Sequence, residues 1–457
     1  MSSLSLLDTI DRKLPIHLVG IGGVSMSALA QMLLHLGAPV SGSDRDDTEI
    51  TRRLKEQGAV VYQGHRAEQL GDAKLVIRTS AIKDDNPEIQ AARERGIPIW
   101  ERAQAWGMLM TAYRQVLCIA GTHGKTTTTS MMSCIALAAQ ADPTIMVGTY
   151  LPAIGGTLRI GAKDLFIAES CEYCNSFLNF PPTIAVVLNV EEDHLDFFSG
   201  LSDIVASFRA FCLKTPEQGG VVVANRDDPG ARMVIENLPR RVITFGRDST
   251  ADVYPQNITL QNGYYAFDVY HQGEKLVSVQ LQVPGLHNMT NALACCAASL
   301  ALGFSPAAMA AGLSQFTGSA RRFQRKGMVN GALVVDDYAH HPSEMAATLR
   351  AARQMDFDRI VCVFQPHTYS RTKALYQDFL QSLSLADKVI LADIYAAREK
   401  DNLGVSSEQM AREIPDAEYY PSFSLIEERL RQIARPGDLI LTMGAGDIVK
   451  VGEELLA

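Results

Sequence analysis

No stretch of this 457-residue chain approaches the ~18 consecutive apolar residues that a membrane-spanning helix requires. Its first residues, MSSLSLLDTIDRK, lack the basic segment and apolar core of a secretory leader. There is no low-complexity tract and no internal repeat. Cysteine is sparse, with eight residues scattered along the chain, and only Cys171 and Cys174 form a C-x-x-C pair. No second pair stands at zinc-site spacing, so these thiols are expected to be reduced and buried rather than metal-bound. Positive charge is not in excess: the formal net charge is -9, which argues against a protein built to coat nucleic acid or an anionic membrane. The sparse cysteines and the lack of a leader or spanning segment point to the cytoplasm; the expected partners are small molecules, with no nucleic acid or membrane, and the expected assembly is a monomer or homodimer. What is present, 47% hydrophobic and 20% charged residues, is the composition of a globular protein too long for one core.

The most informative stretch is Cys118 to Thr129, CIAGTHGKTTTT. An apolar run leads into Gly-x-x-Gly-Lys-Thr, and a helix-compatible segment follows. Small residues let backbone N–H groups approach phosphate oxygens, Lys125 supplies a point charge, and Thr126 offers a hydroxyl to Mg²⁺. The common phosphate loop carries a further glycine where this chain has Ile119, and here the extra glycine is Gly121. The loop is a tighter variant.

Three α/β segments can be read along the chain. In residues 1–110, strand patterns at 16–19, 38–41 and 75–79 alternate with helical periodicity, as in a parallel sheet with its loops at strand C-termini. Residues 111–318 hold the phosphate loop, strand patterns at 165–169, 184–189, 221–224 and 241–245, and an antiparallel patch at 252–283 turning near Asn262-Gly263. A helical stretch at 287–302 follows. After Gly318 the pattern resets, and 319–457 form a third α/β unit with strands at 334–335, 360–364, 388–392 and 439–442. The fold class expected is therefore α/β in three domains. The outer two are Rossmann-like; the central one is a phosphate-loop domain with a mostly parallel sheet plus a small antiparallel sheet.

Two further constellations carry chemistry. Gly20-Ile-Gly22-Gly23-Val-Ser25 follows a strand and opens a helix, and Asp44 stands 22 residues after Gly22 at the end of the second strand. A diphosphate can sit on that helix N-terminus while Asp44 holds hydroxyls or a base. NAD, another nucleotide such as a UDP-sugar, or a structural turn all meet this description. In the central segment, one strand delivers Glu169, with Glu172 beyond it, and the next delivers Asn189, Glu191, Glu192, Asp193, His194 and Asp196. Thr126, Glu169 and His194 would thus meet beside the phosphate loop as ligands for one or two Mg²⁺ ions.

Nine segments, in order, make the chain resemble the Mur ligases of peptidoglycan synthesis: GIGGVSMSALA, SGSD, GTHGKTTTT, ESCEY, NVEEDHLDFF, GLHNMTNALA, SARRFQ, DDYAHHPSE and QPHTYSRT. Each alone is weak; together they span nearly the whole chain, and they match the alanine-adding branch. The resemblance implies UDP-substrate, ATP-binding and amino-acid-binding domains. It also implies a reaction: ATP phosphorylates the lactoyl carboxylate of UDP-N-acetylmuramate, and the amine of L-alanine attacks the acyl phosphate. Lys125, Mg²⁺ and backbone N–H groups suit the charge that both transfers place on phosphoryl oxygens.

By the same resemblance, Gly121, Thr122, His123, Gly124, Lys125, Thr126 and Thr127 cradle the triphosphate. His287, Asn288 and Asn291 lie near adenine, Arg322 reaches the phosphates, and Asp337 the ribose. Lys125, Glu169, His194 and Arg322 form the catalytic set, with Thr126, Glu169 and His194 on the metal. Tyr338, His340, His367 and Arg371 match the alanine-binding segments, where cations fix the carboxylate. Gly22, Gly23, Ser25, Ser43, Asp44, His65, Ser80 and Ala81 are candidate contacts to the UDP-sugar.

Two departures stand out. Relatives that add later amino acids support the metal with a carbamylated lysine; the equivalent count from His194 reaches Arg209, which cannot be carbamylated, as expected of the alanine-adding branch. Some members of that branch carry arginine where this chain has Thr368. The competing readings are a recycling ligase that joins a murein tripeptide to the same UDP-sugar, an NAD-dependent oxidoreductase, and a nucleotide-gated binding protein. The oxidoreductase reading explains nothing after residue 118, and no effector segment supports the last.

Overall fold

The computed structural model describes residues 5–397 and 399–457. They form two compact units, one of residues up to 245 together with 297–305, the other of 246–296 together with 306–457. The first unit thus takes in the N-terminal segment and most of the central one. The antiparallel patch falls in the second.

The first sheet holds β1 (Ile16–Val19), β2 (Val40–Asp44), β3 (Val60–Gln63), β4 (Leu75–Arg78) and β5 (Ile99–Glu101), all parallel, in the order β3-β2-β1-β4-β5. The chain leaves β1 in one direction and returns beyond it for β4, so a crevice opens at the C-terminal ends of β1 and β4. Gly20–Gly23 and Ser80–Ala81 lie there. The four residues of β1 are all buried, as a central parallel strand covered on both faces must be. The edge strands β3 and β5 are exposed or half-buried; β3 carries the apolar run Val60–Tyr62, yet the sequence reading passes over both.

The second sheet of this unit runs β12-β11-β10-β6-β9-β7-β8, built from β6 (Gln115–Ala120), β7 (Thr144–Leu151), β8 (Gly156–Arg159), β9 (Leu165–Glu169), β10 (Ile184–Val187), β11 (Val221–Asn225) and β12 (Arg241–Phe245). Only the β7–β8 pair is antiparallel. Central β6 has β9 on one side and β10 on the other. Register sets Ile119 opposite Glu169 and Ala120 opposite Val187. Two carboxylate-bearing strand ends therefore flank the phosphate loop, as the order of apolar runs predicts.

One apolar cluster runs through both sheets of this unit. Trp106, on the helix Arg102–Met110, is 1% exposed and meets Phe166 of β9 edge-on at 6.0 Å, while its indole N–H donates to the Ser25 carbonyl at 3.4 Å. On the same helix, Gly107 lies so close to the Asn179 carbonyl that a Cβ would stand 1.9 Å from the oxygen.

In the second unit β13 (Val253–Gln261), β14 (Tyr264–His271) and β15 (Glu274–Pro284) form an antiparallel meander. Asn262 and Gly263, at φ 47° and 79°, make its first turn with both central residues at positive φ, the conformation this dipeptide favours. The third sheet holds β16 (Gln324–Val329), β17 (Ala332–Asp337), β18 (Arg359–Phe364), β19 (Lys388–Leu391), β20 (Ala417–Tyr419) and β21 (Asp438–Met443), in the order β16-β17-β21-β18-β19-β20. It is parallel except for the β16–β17 hairpin. Along β18, Cys362 and Phe364 enter one core and Val361 and Val363 the other, so both faces are covered.

Gly107→Ala tests the close approach in the first unit. Alanine ordinarily gains about 0.5–1 kcal/mol over glycine inside a helix; here the clash with Asn179 should reverse the sign and cost about 1–3 kcal/mol. Urea unfolding of the two proteins measures it, and a more stable alanine variant would show that the two segments separate at no cost.

Candidate active site

The phosphate loop is shaped by two glycines. Gly124 caps the helix Lys125–Ala138 at φ 82°, a left-handed conformation that a side chain would strain. A Cβ at Gly121 would lie 2.8 Å from that of Leu188, so the displaced glycine is required by the close approach of the segment after β10. Asn189 on that segment fastens the loop. Its carbonyl accepts from Thr122 N–H at 3.0 Å, its side-chain oxygen accepts from His123 N–H at 2.7 Å, and its amide donates back to the His123 carbonyl at 3.1 Å. The His123 ring lies 3.4 Å from the Glu191 carboxylate.

Lys125 turns inward, with 15% of its side chain exposed. Its ammonium donates to the carbonyls of Gly121 (2.5 Å) and Thr122 (3.1 Å) and to both oxygens of Glu172 at 3.0 and 3.1 Å. Burial alone would lower its pKa, but the Glu172 carboxylate outweighs it and holds the lysine above its ordinary value, charged at neutral pH. Glu172, with 3% exposure, also stands 3.9 Å from His194 Nε2. Thr126 donates its hydroxyl to Glu169 Oε1 at 2.8 Å, and the Gly148 N–H donates to Oε2 at 2.7 Å. His194, at φ 52°, packs its ring on Tyr173 at 4.6 Å, and the Tyr173 hydroxyl donates to Asp196 at 2.8 Å.

The structure thus brings Lys125, Thr126, Glu169 and His194 to one strand-end cluster. Glu172 and Asn189 are the members that residue-by-residue reading left out of the site. Their positions just past the ends of apolar runs were the available signal. The donor set is a hydroxyl, carboxylates and an imidazole, mostly hard oxygen, which fits a cation such as Mg²⁺. Arg209 is not part of it: its guanidinium donates to the carbonyls of Val234, Glu236 and Asn237. The expectation of buried thiols fails at the C-x-x-C pair. Cys174 is exposed and Cys171 half-buried, because the turn after β9 carries both through the site loop.

At the first sheet, the Asp44 carboxylate accepts from Gly22 N–H at 2.8 Å, so it stiffens the glycine loop. Gly23 caps the helix that carries Ser25. Ser43 lies deeper than its neighbour. Its hydroxyl is fully buried, donates to Glu88 at 2.6 Å and lies 2.9 Å from His65 Nδ1. Glu88 also meets His65 at 3.0 Å and His17 at 3.3 Å. Burial would raise the Glu88 carboxyl, but the bonds from His17 and Ser43 prevail and hold it below its ordinary value. Ser80 lines a cavity of about 260 Å³ in this unit, together with Arg78, Arg102, Cys174, Ser176 and Asn179; Ala81 follows it. Arg78 is tied to Glu101 at 2.7 Å and to Asp84 at 2.5 Å. The Arg102 guanidinium, its pKa lowered by burial, is a cation of this cavity that sequence reading missed.

The second unit holds the other candidates. Burial, reinforced by the Arg322 charge, pulls His287 down to about 4, so its imidazole is neutral at pH 7. Asn288 donates to the Pro284 carbonyl at 2.7 Å and accepts from the Asn291 amide at 3.2 Å. Burial pushes Asp337 up to about 6 against the pull of Arg322. Its oxygens accept from Phe323 N–H (2.9 Å) and Ala339 N–H (2.8 Å), so it also organises its own loop. The two adjacent arginines divide their tasks. Both guanidinium groups lie over the Tyr338 ring, at 4.9 and 5.3 Å, but Arg321 is bound to Asp336 at 3.0 Å and the Gly444 carbonyl at 2.7 Å, whereas Arg322 stands 3.9 Å from Glu344. Beyond β17, β18 and β19, the rings of Tyr338, His340, His367 and Tyr395 follow one another at 5.4, 6.0 and 5.5 Å. Arg371 reaches the His367 ring at 3.4 Å.

Comparison with known proteins agrees with this architecture. Residues 15–114 match the Mur ligase family catalytic domain, 119–299 the Mur ligase middle domain, and 321–446 the Mur ligase glutamate ligase domain. The UDP-N-acetylmuramate--L-alanine ligase of Agathobacter rectalis is 48% identical over 455 residues, covering 98% of this chain and 99% of that protein. The crystal structure of UDP-N-acetylmuramate-alanine ligase from Thermotoga maritima superposes with a TM-score of 0.82 at 28% identity, covering 97% and 98% of the two chains. A murein peptide ligase from Psychrobacter arcticus shares the fold, with a TM-score of 0.73 at 24% identity over 97% and 98% of the chains. Three domain matches in order, over a chain whose strand ends assemble a lysine, threonine, glutamate and histidine around a glycine loop, establish that this chain belongs to the Mur ligase family.

Proposed function

We propose that this chain is an ATP-dependent ligase that joins L-alanine to the lactoyl carboxylate of UDP-N-acetylmuramate through an acyl phosphate, in cytoplasmic peptidoglycan precursor synthesis. The observation that carries the reading is the 48% identity, over 98% of the chain, to a relative that bears that activity in its name. The cluster on β6, β9 and β10 supports it chemically. Among the described residues no helix is long and apolar enough to cross a membrane.

The division of labour follows the three segments: 1–110 for the UDP-sugar, 111–318 for ATP, and 319–457 for the amino acid. A carboxylate is a poor acyl donor, so its oxygen attacks the γ-phosphorus of ATP, ADP departs, and an acyl phosphate remains. The unprotonated alanine amine then attacks the acyl carbon, the nitrogen gives up a proton to solvent, and phosphate leaves with the bonding pair as the amide forms. Both steps concentrate negative charge on phosphoryl oxygens. Lys125 and those N–H groups of the loop that Asn189 does not occupy, at Gly121 and from Gly124 to Thr127, neutralise it. Mg²⁺, when bound, supplies Lewis-acid polarisation of phosphoryl oxygens, and Thr126, Glu169 and His194 are the residues to hold it. Arg322 adds positive charge toward the phosphates, and His287, Asn288 and Asn291 present neutral groups to the base, with Asp337 toward the ribose. Arg371, next to His367, pairs with the amino-acid carboxylate and directs the amine, aided by Tyr338 and His340. Gly22, Gly23, Ser25, Asp44, His65, Ser80 and Ala81 hold the UDP-sugar, while buried Ser43, expected from sequence as a contact, bonds Glu88 and His65 beneath them instead.

Phosphate release from ATP with UDP-N-acetylmuramate and a panel of amines tests the assignment. L-Alanine should support turnover and a murein tripeptide should not; the opposite result would make this a recycling ligase. Lys125→Ala should lower kcat by at least ~100-fold, the usual cost of one essential charge stabiliser. Glu172→Gln, which withdraws the countercharge of Lys125 but keeps its shape, should lower kcat by about 10-fold or more. Near-wild-type turnover of Lys125→Ala would mean that the loop does not act on phosphate, and near-wild-type turnover of Glu172→Gln that Lys125 holds its place without the carboxylate. Glu169→Ala should shift the Mg²⁺ dependence of turnover to higher concentration, and an unchanged titration would place the metal elsewhere.

A further inference from the structure

Tyr395 has no part in the assignments above, yet it closes the line of rings in the second unit. Its ring lies against His367 at 5.5 Å with 21° between planes, a stacked arrangement. The backbones of the two residues are also bridged: Tyr395 N–H donates to the Pro366 carbonyl at 2.8 Å, and Thr368 N–H donates to the Tyr395 carbonyl at 2.9 Å. A Cβ at Gly446 would fall 3.0 Å from Cγ of Tyr395 and closer still to the Gln365 side chain, so only glycine leaves the ring room there. The tyrosine is thus held in place by its neighbours although its side is open, at 38% exposure.

His367 in turn stands 3.4 Å from the Arg371 guanidinium, and Thr368 between them adopts φ 69°, an unfavourable conformation that the bridge to Tyr395 maintains. A guanidinium that binds a carboxylate needs its fork aimed in advance, because each rotamer left free weakens binding. From these contacts we infer that Tyr395 is a positioning residue for amino-acid binding: by stacking on His367 it fixes the imidazole that sets Arg371. The inference rests on the alanine-site reading of His367 and Arg371. It concerns the ring face, not the hydroxyl.

The full-length protein is assayed for phosphate release at varied L-alanine, ATP and UDP-N-acetylmuramate. Tyr395→Ala should raise KM for L-alanine about 3- to 10-fold, the scale of one lost aromatic pair, with kcat and the other two KM values near wild type. Tyr395→Phe should restore the wild-type KM. In spectra of ¹³C-histidine-labelled protein, the His367 signals, assigned with His367→Gln, should move in the alanine variant and stay in place in the phenylalanine variant. An unchanged KM for L-alanine, a parallel rise in all three KM values, or failure of phenylalanine to restore would overturn the inference. If the unsubstituted protein shows no alanine-dependent release, the alanine-site reading has failed, and the His367 signals alone then decide whether Tyr395 sets the imidazole.

Discussion

A buried ammonium needs a countercharge, and that requirement organises the catalytic region of the first unit. Lys125 sits where the backbone of the loop turns its carbonyls inward, which suits a cation but would not by itself offset lost hydration. Glu172 supplies the missing charge from the turn after β9. The carboxylate, in turn, fixes how that turn leaves the strand, and so where Tyr173 packs on His194 and where Glu169 meets Thr126. A parallel sheet delivers loops to one edge; the ion pair is what draws the loops after β6 and β9 together at that edge.

Polar side chains shape the other loops in a similar manner. Asn189 clamps the phosphate loop through both sides of its amide. Asp44 accepts from the Gly22 N–H, and Asp337 collects two backbone N–H groups around the bend after β17. Each such residue spends hydrogen-bonding capacity on the backbone before any ligand arrives. Pre-ordered loops bind phosphate and sugar groups with less entropy lost on association.

How much of this can be read from the sequence depends on burial. Strands covered on both faces, such as β1, β10, β11 and β21, stand out as apolar runs, and the Asn262-Gly263 turn follows from the φ values those residues accept. The half-exposed edges β3, β5 and β20 are only three or four residues long, and the sequence reading does not separate them from loops. Glycine at 121 is visible as a motif variant, but its reason, the approach of Leu188, is not. Glu172, Asn189 and Tyr395 lie in loops and Arg102 opens a helix, places where residue type alone does not separate a site from a solvated surface.

By itself, the sequence determined the α/β class, the order of its segments, the glycine loop with Lys125 and Thr126, and the strands that lead to Glu169 and His194. These depend on local patterns: apolar runs, glycine at tight turns, and motifs within a dozen residues. Only the tertiary structure decided that the N-terminal sheet shares one core with the glycine-loop segment, that the β13–β15 meander belongs with the C-terminal sheet, and that Arg321 is engaged by Asp336 while Arg322 stands near Glu344. It also decided that Ser43 is sealed in a cluster with Glu88. Those outcomes depend on which groups meet across long stretches of chain. Charge pairing and close packing act through space, whereas a motif records only the neighbours along the backbone.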